Sequence, residues 1–317
     1  KRQGQASRQA SGQASGSARL NGSAGALGRT GVIKTPHGNI HTPAFIPVAT
    51  KATVKTLTPE QVRSTGAQAM LSNAYHLYLQ PGPDIVDEGG GLAEFENWHG
   101  PTYTDSGGFQ VMSLGVGYKK VLAMDTKGRS ESDIIQQQKK RMAVVDEDGV
   151  DFRSVIDGSK HRFTPEVSMQ IQHQLGADIM FAFDELTTLV NTRPYQEQSV
   201  ARTHRWARRC LAEHQRLTDL RPHRPLQSLW GVVQGAQYED LRRQAARGLV
   251  QLSDEAEAQG NRGFGGFGIG GALEKENLGT IVRWVAEELP EDKPRHLLGI
   301  SEPDDLFTAI EAGADTF

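Results

Sequence analysis

Short apolar runs recur along this chain, each followed by a longer stretch with helical spacing, and that alternation constrains the fold more than any other feature. From Thr30 onward the strand candidates are Pro43–Val48, Ala67–Ser72, Thr102–Thr104, Asp178–Phe183, Leu229–Val233, Phe264–Ile269 and His296–Gly299, with Ala314–Phe317 as the opening of an eighth. Those lying between helices are apolar at most positions, as parallel strands buried on both faces must be. Helix starts are signalled by Thr58-Pro59-Glu60-Gln61 and Thr164-Pro165-Glu166, where a capping threonine precedes proline at the first helical position. Further helices are predicted over Gln196–Arg216, Tyr238–Leu252, Glu274–Leu289 and Pro303–Ala312. About eight β-then-α units without a dinucleotide fingerprint predict an α/β fold closed into a (β/α)8 TIM barrel. Asp146–Ile156 reads as an inserted β-ribbon, and the polar stretch Met124–Lys139 before it as a mobile insertion.

The chain divides into two unequal parts. Residues 1–28 repeat Gln-Ala-Ser at Gln5, Gln9 and Gln13 and carry almost no large apolar side chain, so they cannot bury enough surface to offset the entropy of ordering. They are expected to be a disordered low-complexity tail. Residues 29–317 are expected to form the barrel, incomplete at its C-terminal end because the chain stops as the eighth strand opens. Cys210 is the only cysteine, which leaves no disulfide framework and no cysteine-rich zinc site within these residues. A reducing, cytoplasmic setting fits that usage, and no apolar run is long enough to span a bilayer. The net charge of −3 offers no global attraction to phosphates, so an RNA partner would need a local basic patch.

In such a barrel the working face lies at the C-terminal ends of the strands, so polar residues that interrupt an apolar run there are the candidates. Asp105-Ser106-Gly107-Gly108-Phe109-Gln110 follows a strand with a carboxylate, a glycine turn that exposes backbone N–H groups, and a flat ring for stacking. An aspartate capping the next turn is the alternative. Asp184-Glu185 closes another apolar run. A carboxylate there can accept two parallel hydrogen bonds, matching the N1–H and N2–H of guanine, but it can equally hold a metal or pair with a helix. Gln234-Gly235 offers an amide to a ligand's polar edge or ties two loops together. Gly270-Gly271 lets backbone amides approach a carbonyl oxygen or merely turns a strand. None of these runs has phosphate-loop spacing.

Together these positions point to a small flat ligand with both donors and acceptors. The runs His37–Pro43, Asn73–Leu77, Thr104–Gln110, Ile156–Ser159, Ala182–Glu185, Gln234-Gly235 and Gly270-Gly271 occur in the order found in the tRNA-guanine transglycosylase family, which the chain resembles from about Arg29 to Phe317. That resemblance implies exchange of guanine at the wobble position of GUN-anticodon tRNAs for 7-aminomethyl-7-deazaguanine in bacteria, or queuine in eukaryotes, by double displacement. It implies Asp105 as general acid/base and Asp184 on the Watson–Crick edge. Gln234 and the Gly271 amide are implied at the base carbonyl, Phe109 stacked on the ring, and Ser106, Gly107 and Gly108 as the rest of the base pocket.

The same resemblance places the nucleophilic aspartate directly after Phe317. It places the basic wobble-recognition segment beyond that, with three cysteines and a histidine holding a structural zinc ion in a further subdomain. RNA contacts are expected along Gly299, Ile300, Ser301, Glu302, Pro303, Asp304 and Asp305, where Glu302 stands in place of a lysine common in the family. The partners implied are the tRNA anticodon loop, the deazaguanine base and a second copy of the chain. Arg202, His204, Arg205, Arg208 and Arg209 form a basic cluster that reads as a solvated helix face.

Three rivals remain at this level. A glycoside hydrolase would use Asp105 with Asp184 or Glu185 as a carboxylate pair and needs aromatics in the cleft, for which Trp98, Trp206, Trp230 and Trp284 are the available tryptophans. A metal-dependent hydrolase would need His37 and His41 at a strand end. A non-catalytic RNA-binding relative would not need Asp105.

Overall fold

The computed structural model describes residues 18–19, 27–114, 143–271 and 273–317. Six parallel strands form one sheet in the order β12-β11-β10-β9-β5-β4: β4 is Met70–Ser72, β5 Thr102–Thr104, β9 Ile179–Phe181, β10 Ser228–Val233, β11 Gly266–Ile269 and β12 Arg295–Leu297. Helices cover its outside, so the fold is α/β, as the sequence predicts. The two remaining strand candidates join the sheet edges through parallel bridges. Val48 bridges Leu71, while Ala44 bridges Thr316, which in turn bridges His296. Hydrogen bonds follow the same path: Leu71 N–H to Pro47 O at 3.0 Å, Ala44 N–H to Asp315 O at 3.0 Å, and Leu297 N–H to Thr316 O at 2.9 Å.

The sheet has an apolar interior and an apolar exterior, which is why its strands read as continuous apolar runs. Tyr103, Ile179, Phe181, Trp230 and Val232 pack inside with Ala44, Ile46 and Leu71. Tyr103 and Phe181 stand edge-on to Trp230 at centroid distances of 5.9 Å, an arrangement favoured by the ring quadrupoles. Met180, Leu229, Val233 and Ile269 belong to the other cluster, packed against the helices.

Ahead of the sheet stands an antiparallel hairpin that the sequence reading did not anticipate, β2 (Arg29–Thr35) with β3 (Gly38–Thr42). Ile33 and Ile40 extend the interior cluster. Arg29 grips Asp315 with two hydrogen bonds of 2.9 and 2.7 Å, and the His37 ring meets Asp178 at 2.8 Å. Both aspartates precede strand positions, so the hairpin covers the N-terminal end of the sheet and leaves the C-terminal end to the site. At β1, Ala18–Arg19 pairs with Arg29 and Thr30. The rest of the expected tail, up to residue 26, lies outside the described residues, as does the expected insertion Met124–Lys139.

The expected ribbon is a three-stranded meander of β6 (Ala143–Val145), β7 (Val150–Arg153) and β8 (Lys160–Phe163), longer than the Asp146–Ile156 read from sequence. Thr58 and Thr164 cap helices Pro59–Ser64 and Pro165–Leu175, each accepting a backbone N–H with its side chain. Helix Arg193–Leu220 runs past both expected ends. The stretch Glu274–Leu289 divides into a 3-10 turn, Lys275–Asn277, and a helix, Leu278–Ala286. The four short helices Ala74–Leu79, Pro83–Glu88, Leu92–Phe95 and Gly108–Leu114 went unread because so few turns carry no measurable period. No helix among the described residues is long and apolar enough to cross a membrane.

Candidate functional site

Asp105 emerges from β5, and its backbone N–H donates to the Ser72 carbonyl at 3.3 Å, which ties it to the neighbouring strand β4. Its carboxylate is held from that side. The Asn73 amide donates to Oδ2 at 2.6 Å and the Ala74 N–H to Oδ1 at 2.8 Å. Asn73 sits where a helix cap would, yet it makes no capping hydrogen bond because its amide is turned to Asp105. Burial raises the Asp105 carboxyl above its ordinary value. The hydrogen bonds from Asn73, Ala74, Gln110 and Gly107 oppose that rise without overcoming it.

The turn after Asp105 is built to be close-packed. Gly107 has φ +79, and a Cβ there would stand 2.8 Å from the Phe163 ring, so only glycine fits beneath the meander. The carbonyl of Ser106 accepts from the buried Ser168 hydroxyl at 2.8 Å, while the Ser106 hydroxyl lies 3.2 Å from Asp184 Oδ1 and accepts from the Gly108 N–H. Ser106 thus joins the two carboxylate positions. Gly108 lies against the Asp184 carbonyl, where a Cβ would be 3.0 Å away. Phe109 is 47% exposed, so its ring is accessible to a ligand.

Asp184 accepts from the Gln234 amide at 2.6 Å through Oδ2, linking the ends of β9 and β10. Burial pushes its carboxyl up to about 6, the Gln234 and Ser106 hydrogen bonds oppose this, and the charge of Asp105 adds to it. Gln234 keeps a buried oxygen, Oε1, without a hydrogen-bond partner. That oxygen would lie 2.6 Å from a Cβ at Gly271, whose φ of +88 is itself a glycine conformation. Asp105, Ser106, Gly107, Gly108, Asp184, Gln234 and Gly271 therefore converge on one end of the sheet. Glu185 turns away: Tyr195 donates to its Oε1 at 2.6 Å and Arg202 pairs with its Oε2, so it has no part in a carboxylate pair with Asp105.

The basic cluster is consumed by ion pairs on its helix: Arg202 with Glu185, Arg205 with Glu147, Arg208 with Glu255, Arg209 with Glu166. The Arg202–Glu185 pair is largely buried and the other three lie at the surface; together they tie the helix to its neighbours and leave little charge for phosphates. Of the expected RNA segment, Gly299, Ser301, Glu302, Pro303 and Asp304 are exposed, whereas Ile300 packs into the core and Asp305 is buried beside Lys275 at 3.1 Å. His37 lies at the opposite end of the sheet from Asp105, bound to Asp178. Among the described residues no group of three His, Cys, Asp or Glu is arranged to hold a metal ion, and Cys210 is buried.

Two contributors escaped the sequence reading. Asn73 interrupts an apolar strand at its C-terminal end, the same signal that singled out Asp105, and could have been found by it. Arg242 carried no such signal. It is fully buried within helix Glu239–Ala258 and donates to the carbonyls of Val233 at 3.0 Å, Ala236 at 2.8 Å and Gly270 at 2.6 Å, fixing the loops of Gln234 and Gly271 relative to each other.

The sequence model of a family described as queuine tRNA-ribosyltransferase matches residues 24–317. Curated relatives of that name from Desulforamulus reducens and Staphylococcus aureus are each 42% identical over 292 residues. The match covers 91% of this chain and 67% and 66% of those proteins respectively, so the chain spans about two thirds of the length of the relatives it matches.

Proposed function

This chain belongs to the queuine tRNA-ribosyltransferase family, and from that premise we propose that the protein is a pentosyltransferase acting on tRNA in queuosine biosynthesis. It exchanges guanine at the wobble position of GUN-anticodon tRNAs for 7-aminomethyl-7-deazaguanine or queuine. The observation that carries this reading is a pair of carboxyls at the ends of neighbouring strands, Asp105 half-buried and gripped by Asn73, Asp184 buried and held by Gln234 and the Ser106 hydroxyl. A purine between them meets two acceptors at Asp184, donors and an acceptor around Gln234 and Gly271, and the Phe109 ring; base exchange needs such a slot for a flipped nucleotide.

In the proposed chemistry an aspartate expected directly after Phe317 attacks the ribose C1′, and the bond to guanine N9 breaks with its electron pair going to the base. Asp105, whose affinity for a proton is raised by burial, is the acid that gives that base its proton. The incoming base returns a proton to Asp105 as its N9 attacks C1′ and displaces the carboxylate. We read the six-stranded parallel sheet, with its edge bridges at Val48–Leu71 and Ala44–Thr316, as a (β/α)8 barrel, in which the residue after Phe317 falls on the same rim as Asp105. RNA contact is assigned to the exposed Gly299 and Ser301–Asp304. Among the described residues the zinc ion of the family finds no fitting donor set, and Cys210, the single cysteine of the sequence, is buried. A cytoplasmic homodimer is the setting we carry over from the family.

The test is incorporation of labelled guanine into unmodified tRNA by the full-length protein. Asp105→Asn should lower exchange by roughly 100-fold or more while leaving tRNA retention on filters unchanged. Undiminished exchange would assign the proton transfer to another group.

A further inference from the structure

Behind Asp105 lies a carboxyl that the proposed chemistry does not use. Glu96 follows helix Leu92–Phe95, is 5% exposed, and meets the Ser72 hydroxyl at 2.5 Å through Oε1. The same hydroxyl lies 2.8 Å from the Ala49 carbonyl. A serine hydroxyl has one proton to donate, and a peptide carbonyl has none. Three oxygens joined by two short contacts need two protons, so the second must come from Glu96. The remaining oxygen, Oε2, is buried with no hydrogen-bond partner, a tolerable state for the carbonyl oxygen of a neutral acid and a costly one for a carboxylate.

We propose that Glu96 is a neutral carboxylic acid that donates its proton to Ser72 Oγ, and that this link is a positioning device for Asp105. Ser72 is its hinge point. The Ser72 hydroxyl ties Glu96 to Ala49, its carbonyl receives the Asp105 N–H at 3.3 Å, and the next residue, Asn73, donates to the Asp105 carboxylate. The role rests on the base-exchange reading of Asp105; the protonation state does not.

The surroundings are apolar. Ala49, Val62, Met70 and Trp98 form one buried cluster around this segment. The charged neighbours are otherwise engaged: Glu94 and His99 are exposed and face each other at 3.7 Å, and Arg63 lies over the Trp98 ring. Burial accordingly pushes the Glu96 carboxyl up to about 7. Its folded value lies above the ordinary 4.5, so the stability carried by this proton is present below pH 4.5 and is lost as the pH rises to about 7.

The experiment compares full-length wild type with Glu96→Gln, whose amide can still donate to Ser72, and with Glu96→Ala, which cannot. Infrared spectra at about pH 6 should show a protonated carboxylic acid band in wild type that Glu96→Gln lacks and that titrates away near pH 7. The melting temperature of wild type should fall relative to Glu96→Gln over the same range. For guanine exchange, Glu96→Ala should lose kcat severalfold, Glu96→Gln should restore it, and wild type alone should lose kcat above about pH 7 at constant KM. Absence of the acid band, or kcat profiles that superimpose for wild type and Glu96→Gln, would overturn the proposal. The infrared and melting measurements need no base exchange, so they separate a failure here from a failure of the functional reading. Should Glu96→Gln not fold, Ser72→Ala breaks the same link from the other side, and its kcat at about pH 6 should match that of wild type above about pH 7.

Discussion

The carboxyl assigned to the guanine edge should cost the empty protein stability, and removing its charge should reveal how much. Asp184 is 9% exposed and burial lifts it from 3.8 to about 6, which penalises the ionised folded state by about 3 kcal/mol at neutral pH. The sign follows from the direction of the shift. A carboxyl whose folded value is raised favours the fold when protonated, so the penalty is absent below pH 3.8, grows between 3.8 and about 6, and is complete above. Asp184 now accepts from the Gln234 amide and the Ser106 hydroxyl; Asp184→Asn keeps the acceptor for Gln234 and meets Ser106 with an N–H, to which the hydroxyl can turn a lone pair. The variant should therefore melt roughly 5 °C above wild type at pH 8 and lose that advantage below pH 4. Guanine binding must move the opposite way. An amide offers one acceptor to two adjacent donors, so affinity by calorimetry should fall roughly 100-fold. In wild type it should weaken as the pH drops through about 6, where the carboxylate takes up its proton. An Asp184→Asn protein no more stable than wild type at pH 8, or one binding guanine normally, would refute the reasoning.

Two further outcomes test the site and its support. Gly271→Ala places a Cβ 2.6 Å from Gln234 Oε1 at a φ of +88, so it should cost roughly 1–3 kcal/mol in backbone strain and lower base affinity by more than that stability loss accounts for, measured by melting and calorimetry together. The buried pair His173 and His214, 2.9 Å apart, is pushed down to about 4 and about 3 by burial. Folded values below 6.5 mean that the unfolded chain takes up protons first, so stability is complete above pH 6.5 and declines toward pH 4, by about 3 kcal/mol for His173 alone. His173→Gln should flatten that decline in melting curves; an unchanged acid slope would place its origin elsewhere.

How much of this site the sequence could disclose turns on strand parity. Along β5, Tyr103 faces the interior, so Asp105 two residues on faces the same way, toward the mouth. Along β10, Trp230 and Val232 face inward, and Gln234 follows them in register. Both residues are legible from alternation once the strands are found. At β9 the rule fails. Ile179 and Phe181 face inward, which would send Phe183 and Glu185 into the mouth and turn Asp184 out. Instead the ladder ends at Phe181, Phe183 packs outward on Trp206 at a centroid distance of 5.0 Å, and Asp184 takes the mouth while Glu185 meets Arg202. No local pattern encodes that reversal. It is set by Trp206, Tyr195 and Arg202 from one long helix, which offer a ring to the phenylalanine and a cation to the glutamate. Arg242 and Glu96 were hidden for the same reason: each acts through segments remote in sequence, and a lone buried arginine or glutamate resembles any surface charge until its partners are in place. What the sequence marks is the set of groups able to meet a ligand. Which of two adjacent carboxylates does so is decided by the packing of the helix behind them.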